Sequence, residues 1–358
     1  MACDSLYCAW LKVHYPYELY STMLKLYDEK KNTDKISAII SEMKRYKNIT
    51  LLSGKWGQDN RDWLVDKENQ TISQSLSSIR YMSKQVAEDL YRLGMFNEAE
   101  SGVEYIPAKL NKAGKEQIKL LKAEVKKASN EDHTDSEIEE LNKQFKGREN
   151  SIWNNPEYLE TLPEEIHHSV RLDYFTNVLR AIQMNTCLDT RQIKILIELG
   201  YFSQFGHSGK LMRVYNEYFE GENKLTKTIK SFNQRLEKLR EFEDSILDEE
   251  LPIRERLRSE QENIGLCLSV DPTEDRSTYF VREVDEKYGT TVQLYAIWSG
   301  KSGKVRFRKN DLLKKPIANN QIVQILDGNR SPRYTLKGGK RVPIPGEMEY
   351  WVRDYKII

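Results

Sequence analysis

Apolar residues recur every three or four positions through the first 47 residues, and this spacing predicts amphipathic helices. Residues 2–29 are apolar and rich in aromatic side chains, but Pro16 interrupts them. Proline fits the first turn of a helix and disrupts its interior, so we expect one helix before Pro16 and a second after it. A third helix is predicted over 34–47, with Asp34 as its N-cap.

The pattern then becomes mixed. Short strands are predicted at Thr50–Leu52 and Asp62–Val65, followed by a helix at Ser83–Leu93. From Trp153 onward the apolar spacing is again typical of helices. These helices are predicted at 164–184, 189–199, 207–220, 224–247 and 253–268.

From about Tyr279 the period changes to that of strands. Short runs of β-branched and aromatic residues are separated by Gly- and Pro-containing turns. These turns lie at 300–304, 327–332, 337–340 and 343–346. The pattern predicts a small all-β barrel or sandwich of about 80 residues.

Composition narrows the class of protein. The 358 residues carry a net charge of +1 and a mean hydropathy of -0.71, so attraction to a polyanion has to come from local patches. The sequence contains no run of 18 apolar residues, so it predicts no membrane-spanning helix. The apolar start lacks the basic residues and the cleavage site of a signal peptide. The four cysteines show no CxxC spacing, so we expect reduced thiols in a cytoplasmic protein.

No catalytic pattern is visible. The five histidines do not pair with cysteines or carboxylates at metal-ligand spacing. The stretch GKSGK at 300–304 contains glycines and lysines, but strand pattern follows it, whereas a phosphate-binding P-loop leads into a helix. We therefore predict no catalytic residue, no metal site and no cofactor in this chain.

One candidate for phosphate binding lies in ILIELGYFSQFGHSGKLM, residues 195–212. A helix is predicted to end at Gly200 and another to begin near Gly206, where free backbone N–H groups and the helix dipole attract anions. The candidate DNA-binding residues are Gly206, His207, Ser208 and Lys210. An ordinary helical hairpin with a glycine C-cap is the alternative.

The second candidate is the β region. Residues 301–342 contain twelve lysines and arginines against Asp311 and Asp327. Basic residues alternate with Val305 and Phe307, so one strand face is predicted to be basic while the other packs inward. Trp298, Phe307 and Tyr334 are interleaved as candidate stacking platforms for bases. The candidate DNA-binding residues are Lys304, Arg306, Arg308, Lys309, Arg330, Arg333, Lys337 and Lys340. A solvated basic face is the alternative.

Several segments, taken in order, resemble the C-terminal portion of the alpha subunit of bacterial DNA polymerase III, a C-family replicative DNA polymerase. The opening AWLKVHYPYELYSTML is similar to an LKxxYPxEF-like stretch near the end of the fingers in that family. The matching positions are Leu11, Lys12, His14, Tyr15, Pro16, Glu18, Leu19, then Asn32, Asp34, Lys35, Ile36, then Asp59, Asn60, Trp63, then Ile72, Leu76 and Ile79. ILIELGYFSQFG resembles the second helix-hairpin-helix of the family, and EQENIGLCLSVDP at 260–272 resembles the segment before its OB-type barrel.

The chain also departs from the family pattern. Where the first hairpin of the family has IKGVG, this chain has Ile79–Ser83 without glycine. The HP before the barrel is replaced by Asp271–Pro272, and no clamp-binding peptide is found, so contact with a sliding clamp has no motif to support it. The resemblance does not cover the charged segment at about 100–160.

The resemblance implies a fold and a domain order. We expect an α+β multidomain protein with a helical fingers remnant, a helix-hairpin-helix domain and an OB-like small β-barrel. The implied segments are 1–50, the C-terminal part of the fingers; 51–99, small strands with a degenerate first helix-hairpin-helix; 100–162, a charged helical insert; 163–250, the DNA-binding helix-hairpin-helix region; and 251–358, a linker helix and the OB-like domain.

The implied function is to hold duplex and single-stranded template DNA during replication. The palm of the family, with its Mg²⁺-binding carboxylates, has no counterpart in this chain, so we expect a split polymerase whose palm lies on an upstream partner chain; a viral origin is left open. An apolar stripe is predicted to dock on that partner, through Leu6, Trp10, Leu11, Tyr15, Leu19 and Met23. A stand-alone single-stranded nucleic-acid-binding or adaptor protein is the alternative function.

Overall fold

The computed structural model describes residues 2–30, 32–103, 110–128, 144–149, 151–152, 155–160, 166–222, 229–285, 291–337 and 340–358. The chain forms two compact units, and each combines separate stretches of sequence. The first unit comprises Met1–Phe96, Thr186–Arg213 and Ile246–Ile358. The second comprises Asn97–Asn185 and Val214–Ser245. This division follows spatial contacts and differs from the five consecutive segments expected from the sequence.

The first unit begins with three helices and a small sheet, and the second and third of these helices pack on the sheet. The helices are α1 (Ala2–His14), α2 (Pro16–Glu29) and α3 (Thr33–Lys47). The strands are β1 (Thr50–Leu52), β2 (Leu64–Asp66) and β3 (Thr71–Ser73), and β3 lies between the other two. The core shared by α2, α3 and the sheet is Tyr20, Leu24, Ile36, Ile39, Met43, Ile49, Leu51, Ile72 and Leu266. Burying such side chains contributes about 1.5–3 kcal/mol each, which holds the helices on the sheet.

The break at Pro16 occurs where the sequence predicts it, but the predicted cap of α3 is wrong. Asp34 lies inside α3, which begins at Thr33. Asn32 is the N-cap, because its side-chain oxygen accepts the backbone N–H of Lys35 at 3.1 Å. Such a bond satisfies one of the free donors of the first helical turn.

The helices that follow β3 in the first unit are α4 (Lys84–Gly94), α7 (Thr190–Glu198), the first half of α8 (Ser208–Phe219) and α10 (Ile253–Asn263). The second unit contains β4 (Glu98–Val103), α5 (Lys112–Ala128), β5 (Ile166–Arg171), α6 (Phe175–Asn185), the second half of α8 and α9 (Ile229–Ser245). In that unit, β4 and β5 form an antiparallel pair.

The helix predicted over 164–184 is wrong in its first half. Ile166–Arg171 is strand β5, because its backbone pairs with β4 from Glu98 to Val103. α6 begins only at Phe175, where the buried carboxylate of Glu243 accepts the N–H groups of Phe175 and Thr176 at 2.7 and 2.8 Å. This carboxylate supplies the helix start that the local sequence does not show.

The C-terminal part of the first unit is a closed barrel. Its elements are β6 (Thr278–Asp285), β7 (Thr291–Ala296), β8 (Lys301–Phe307), α11 (Lys309–Lys314), β9 (Ile322–Lys337) and β10 (Lys340–Ile357). The strand order is β10-β8-β7-β6-β9, and β9 pairs with β10 to close the barrel. β8 and β10 are parallel, whereas the other neighbours are antiparallel. The combination of helices and sheets agrees with the predicted α+β class.

β9 and β10 also form a long antiparallel ribbon. β9 pairs with β6 at residues 322–324, but it pairs with β10 as far as Lys337. Gly328 on β9 allows a close approach, since a Cβ there would lie 2.6 Å from the hydroxyl of Tyr350 on β10.

Among the described residues, no helix combines the length and the apolar content that a membrane crossing requires.

Candidate nucleic-acid interface

Strand β8 separates a basic face from the barrel core, as its alternation predicts. Phe307 is buried in the core and Val305 packs against it. Lys304 lies opposite Gln293 on β7, and Arg306 lies between Thr291 on β7 and Trp351 on β10. Because neighbouring residues of a strand point to opposite sides, Lys304 and Arg306 share the outward face of the barrel.

The aromatic residues are arranged differently from the prediction. Phe307 is 2% exposed and packs edge-to-face on Tyr355, so it cannot stack on a base. Trp298 is half-buried beneath the guanidinium of Arg276, and Tyr334 is 52% exposed on the ribbon. Trp351 was not identified from the sequence, yet it is half-buried on the outward face with the Arg306 guanidinium 5.9 Å from its ring centre. Only the parallel pairing of β8 with β10 shows this neighbour.

Two glutamates of β10 reduce the positive charge of this face. Glu349 accepts a hydrogen bond from Arg306 Nε at 3.0 Å and lies 3.7 Å from Arg333 Nε. Glu347 accepts a hydrogen bond from Arg333 at 2.8 Å. Both glutamates follow the stretch 301–342 in which the positive excess was counted, so the local sequence overstates the charge.

Four of the predicted cations retain their charge without a carboxylate partner. Lys304, Arg308, Lys309 and Arg330 are exposed, and none lies within 4 Å of an acidic oxygen in the part of the chain that the structure describes. Lys337 and Lys340 face each other across the end of the ribbon. Their side chains lie outside the described residues.

The other predicted site, at the start of α8, has its donors in use. Asp248 accepts the backbone N–H of His207 at 2.7 Å and also the Nδ1–H of His207 at 2.9 Å. Ser208 N–H donates to the Glu250 carboxylate at 3.3 Å, and Lys210 N–H donates to the Glu249 carbonyl at 3.1 Å. These are the groups from which a phosphate site at a helix start is made.

Packing closes the same site. A Cβ added to Gly209 would lie 2.5 Å from the Glu249 carbonyl oxygen. The backbone of Glu249 and Glu250 therefore lies directly against the start of α8. Ser208 is buried, and Gly206 has the positive φ of 141° that favours glycine. The bonds from His207 hold the pKa of Asp248 below its usual value, so the carboxylate is ionised at neutral pH. A phosphate would have to displace this anion.

The predicted docking stripe is only partly at the surface. Leu6, Trp10 and Tyr15 are exposed, and the Trp10 ring lies 5.6 Å from that of Tyr15. Leu11 and Leu19 are half-buried. Met23 packs against the core of the helices and the small sheet, so its main contact is internal.

Within the described ranges, no three His, Cys, Asp or Glu side chains come together as a metal site. No protein-family profile matches the chain, and no characterised protein matches it at a significant level.

Proposed function

We propose that this chain binds single-stranded DNA on the outward face of its barrel, as the DNA-holding part of a C-family DNA polymerase. The observation that carries the proposal is a closed five-stranded barrel whose outward face combines free cations with an aromatic ring. The two parts of the proposal, DNA binding and the polymerase setting, rest on different support and need different tests.

The strand order supports an OB-type barrel. Counted from β6 as the first strand, the barrel order is 1-2-3-5-4, and the third and fifth strands run parallel to each other. Helix α11 lies in the chain between the third and the fourth strand. OB-type barrels bind oligonucleotides across their second and third strands. Here these strands are β7 and β8, and β8 carries Lys304 and Arg306 outward.

The side chains of this face suit a single strand. Lys304 and Arg308 are free to contact phosphates, while Trp351 offers a ring face. Stacking of a base on an aromatic ring contributes about 1–3 kcal/mol and needs an unpaired base. Phosphate contacts release counterions, so the affinity should fall steeply with salt.

Backbone conformation supports the polymerase setting. Tyr81 occupies the position where the first hairpin of the family has glycine, and its φ is 68°, in the left-handed region that favours glycine. The ring of Tyr81 packs under the Arg191 guanidinium at 3.8 Å, and its carbonyl accepts a bond from Gln192. In this setting the palm and its Mg²⁺ belong to a partner chain, on which the exposed residues of α1 would dock.

DNA binding is tested by fluorescence anisotropy with a labelled oligothymidylate and with a duplex of equal length. We expect tighter binding of the single strand, with a salt slope of about −0.7 per phosphate contact. Lys304→Ala should weaken binding, whereas Lys30→Ala, a change of an exposed lysine at the end of α2, should not. Absence of binding at about 50 mM salt would overturn the proposal.

The polymerase setting is tested by co-expression with a palm-carrying C-family chain. We expect the two chains to copurify and to extend a primer together. If the oligonucleotide binds but the chains neither copurify nor extend a primer, the protein acts as a stand-alone single-strand binder.

A further inference from the structure

A cleft of about 600 Å³ lies between α3 and the barrel, entirely within the first unit. Its volume falls in the range of about 300–1,000 Å³ that is usual for small-molecule sites. α3 forms one wall, residues 266–268 form the floor, and β6, β7 and the start of β8 form the other wall. The lining residues are Ser37, Ile40, Ser41, Lys44, Arg45, Leu266, Cys267, Leu268, Arg282, Tyr295, Gly300, Lys301 and Ser302.

The cleft is lined by four cations and by no carboxylate. Lys44, Arg45, Arg282 and Lys301 come from three separate parts of the sequence. None of them lies within 4 Å of an acidic oxygen among the described residues, and Arg45 instead lies over the ring of Tyr46. A concave site with one sign of charge concentrates ions of the opposite sign.

Arg282 is held in place by uncharged acceptors. Its Nε donates to the Gln261 side chain at 2.9 Å, and one terminal nitrogen donates to the Gly265 carbonyl at 3.1 Å. The other terminal nitrogen lies 3.5 Å from the Ser302 hydroxyl. These contacts fix the guanidinium plane but leave its charge unneutralised, as a preorganised anion site requires.

The remaining lining combines three serines with apolar side chains. Ile40 and Leu268 are half-buried and offer apolar surface for a sugar or a base, whereas Leu266 and Tyr295 are buried behind them. The Leu268 end of the floor is fixed because buried Glu260 accepts its N–H at 2.6 Å. Burial also raises the pKa of the Cys267 thiol to about 12, so it stays neutral and adds no negative charge.

The cleft continues toward the barrel face. A second groove of about 530 Å³ shares Ser37, Arg282 and Ser302 with it and reaches Lys304. The carboxylate in this groove, Glu283, accepts a hydrogen bond from Gln293. Lys304 therefore belongs both to the groove and to the proposed DNA-binding face.

We propose that this cleft binds a nucleotide, with the phosphate between Lys44, Arg282 and Lys301 and the sugar or base against Ile40 and Leu268. The nucleotide is either free or one unit of a bound strand. The second source rests on the proposed function, whereas the first does not depend on it.

The test measures two ligands on the same set of variants. Binding of thymidine monophosphate is measured by calorimetry, with inorganic phosphate as a second probe, and binding of oligothymidylate is measured by anisotropy. The variants are Lys44→Glu and Lys301→Glu, both at exposed positions, so each is expected to fold; melting temperatures check this. Lys47→Glu in the same last turn of α3 is the matched control, because Lys47 does not line the cleft.

We expect each cleft variant to weaken nucleotide binding about tenfold, the effect of losing one charge-assisted contact, while Lys47→Glu changes it less than about twofold. A second result also supports the site: the cleft variants lose oligothymidylate affinity although the wild type does not bind the monophosphate. This result assigns the nucleotide to a bound strand. The inference is overturned if both cleft variants bind both ligands as the wild type does. If wild-type protein ignores the oligonucleotide, the proposed function fails, and the monophosphate measurements alone decide this inference.

Discussion

The start of α8 and the outward face of β8 both combine lysine with glycine-containing turns, and both were predicted to bind DNA. At α8 the backbone donors are bonded to Asp248, Glu249 and Glu250. At β8, Lys304 has no acidic neighbour within 4 Å in the described structure. The same residue types therefore serve the stability of the protein in one place and remain open to a ligand in the other.

The difference arises from segments distant in sequence. A carboxylate near a helix N-terminus stabilises an exposed helix by about 0.3–1 kcal/mol, so the protein gains by supplying its own anion there. On the barrel, Glu347 and Glu349 reach Arg306 and Arg333 but leave Lys304 and Arg308 untouched. A basic sequence predicts a binding face only when the charges that fold back onto it are known.

The largest effect is expected from reversing charge on the open face. The double change Lys304→Glu and Arg308→Glu should lower oligothymidylate affinity about a hundredfold at low salt and reduce the salt slope by more than one. Lys210→Glu at α8 is the matched change, with an expected effect below about threefold. Equal losses in the two proteins would show that both regions contact DNA. The measurement is an anisotropy titration at several salt concentrations.

Replacing the ring on this face separates stacking from charge. Trp351→Ala should weaken oligothymidylate binding about tenfold, because one base–ring contact contributes about 1–3 kcal/mol. The salt slope should stay as in the wild type, since no cation is removed. Trp351→Phe, which keeps a ring, should recover most of the affinity. A changed slope would mean that Trp351 acts by positioning Arg306.

A smaller effect in the opposite direction is expected at Glu349. Glu349→Gln keeps the shape of the side chain but removes the charge shared by Arg306 and Arg333. Oligothymidylate affinity should rise about threefold, because two guanidinium groups become available to phosphates. A fall in affinity would show that the glutamate is needed to hold the arginines in place.

The smallest effect on DNA binding is expected at Asp248. Asp248→Asn should leave oligothymidylate affinity unchanged but lower the free energy of unfolding by about 1 kcal/mol at pH 7. The pKa of this group is depressed in the folded protein, so its stabilisation is present above the unfolded value of about 3.9 and is lost as the pH falls through the folded value. The melting temperatures of the wild type and of Asp248→Asn should therefore converge as the pH falls below about 4.

Local periodicity was enough to predict much of the fold. The helix break at Pro16, the first strand at Thr50–Leu52 and the inward side of β8 follow from patterns within a few residues. β5 was missed because a strand of six residues is defined by its partner β4 rather than by its own spacing.

The candidate sites were harder to predict because their parts are far apart in the sequence. Lys44, Arg282 and Lys301 meet in one cleft, yet no short segment contains two of them. Trp351 meets Arg306 only through the closure of the barrel. Alternation can show which side of a strand faces outward, but it cannot show what lies next to it.

Glu349 places an internal competitor beside the path proposed for DNA. A passing phosphate and this carboxylate would attract the same two guanidinium groups, and each arginine could exchange one partner for the other over a short distance. For a strand bound as proposed, such exchange would lower the cost of leaving any single position, which would favour rapid movement along the strand over a fixed grip.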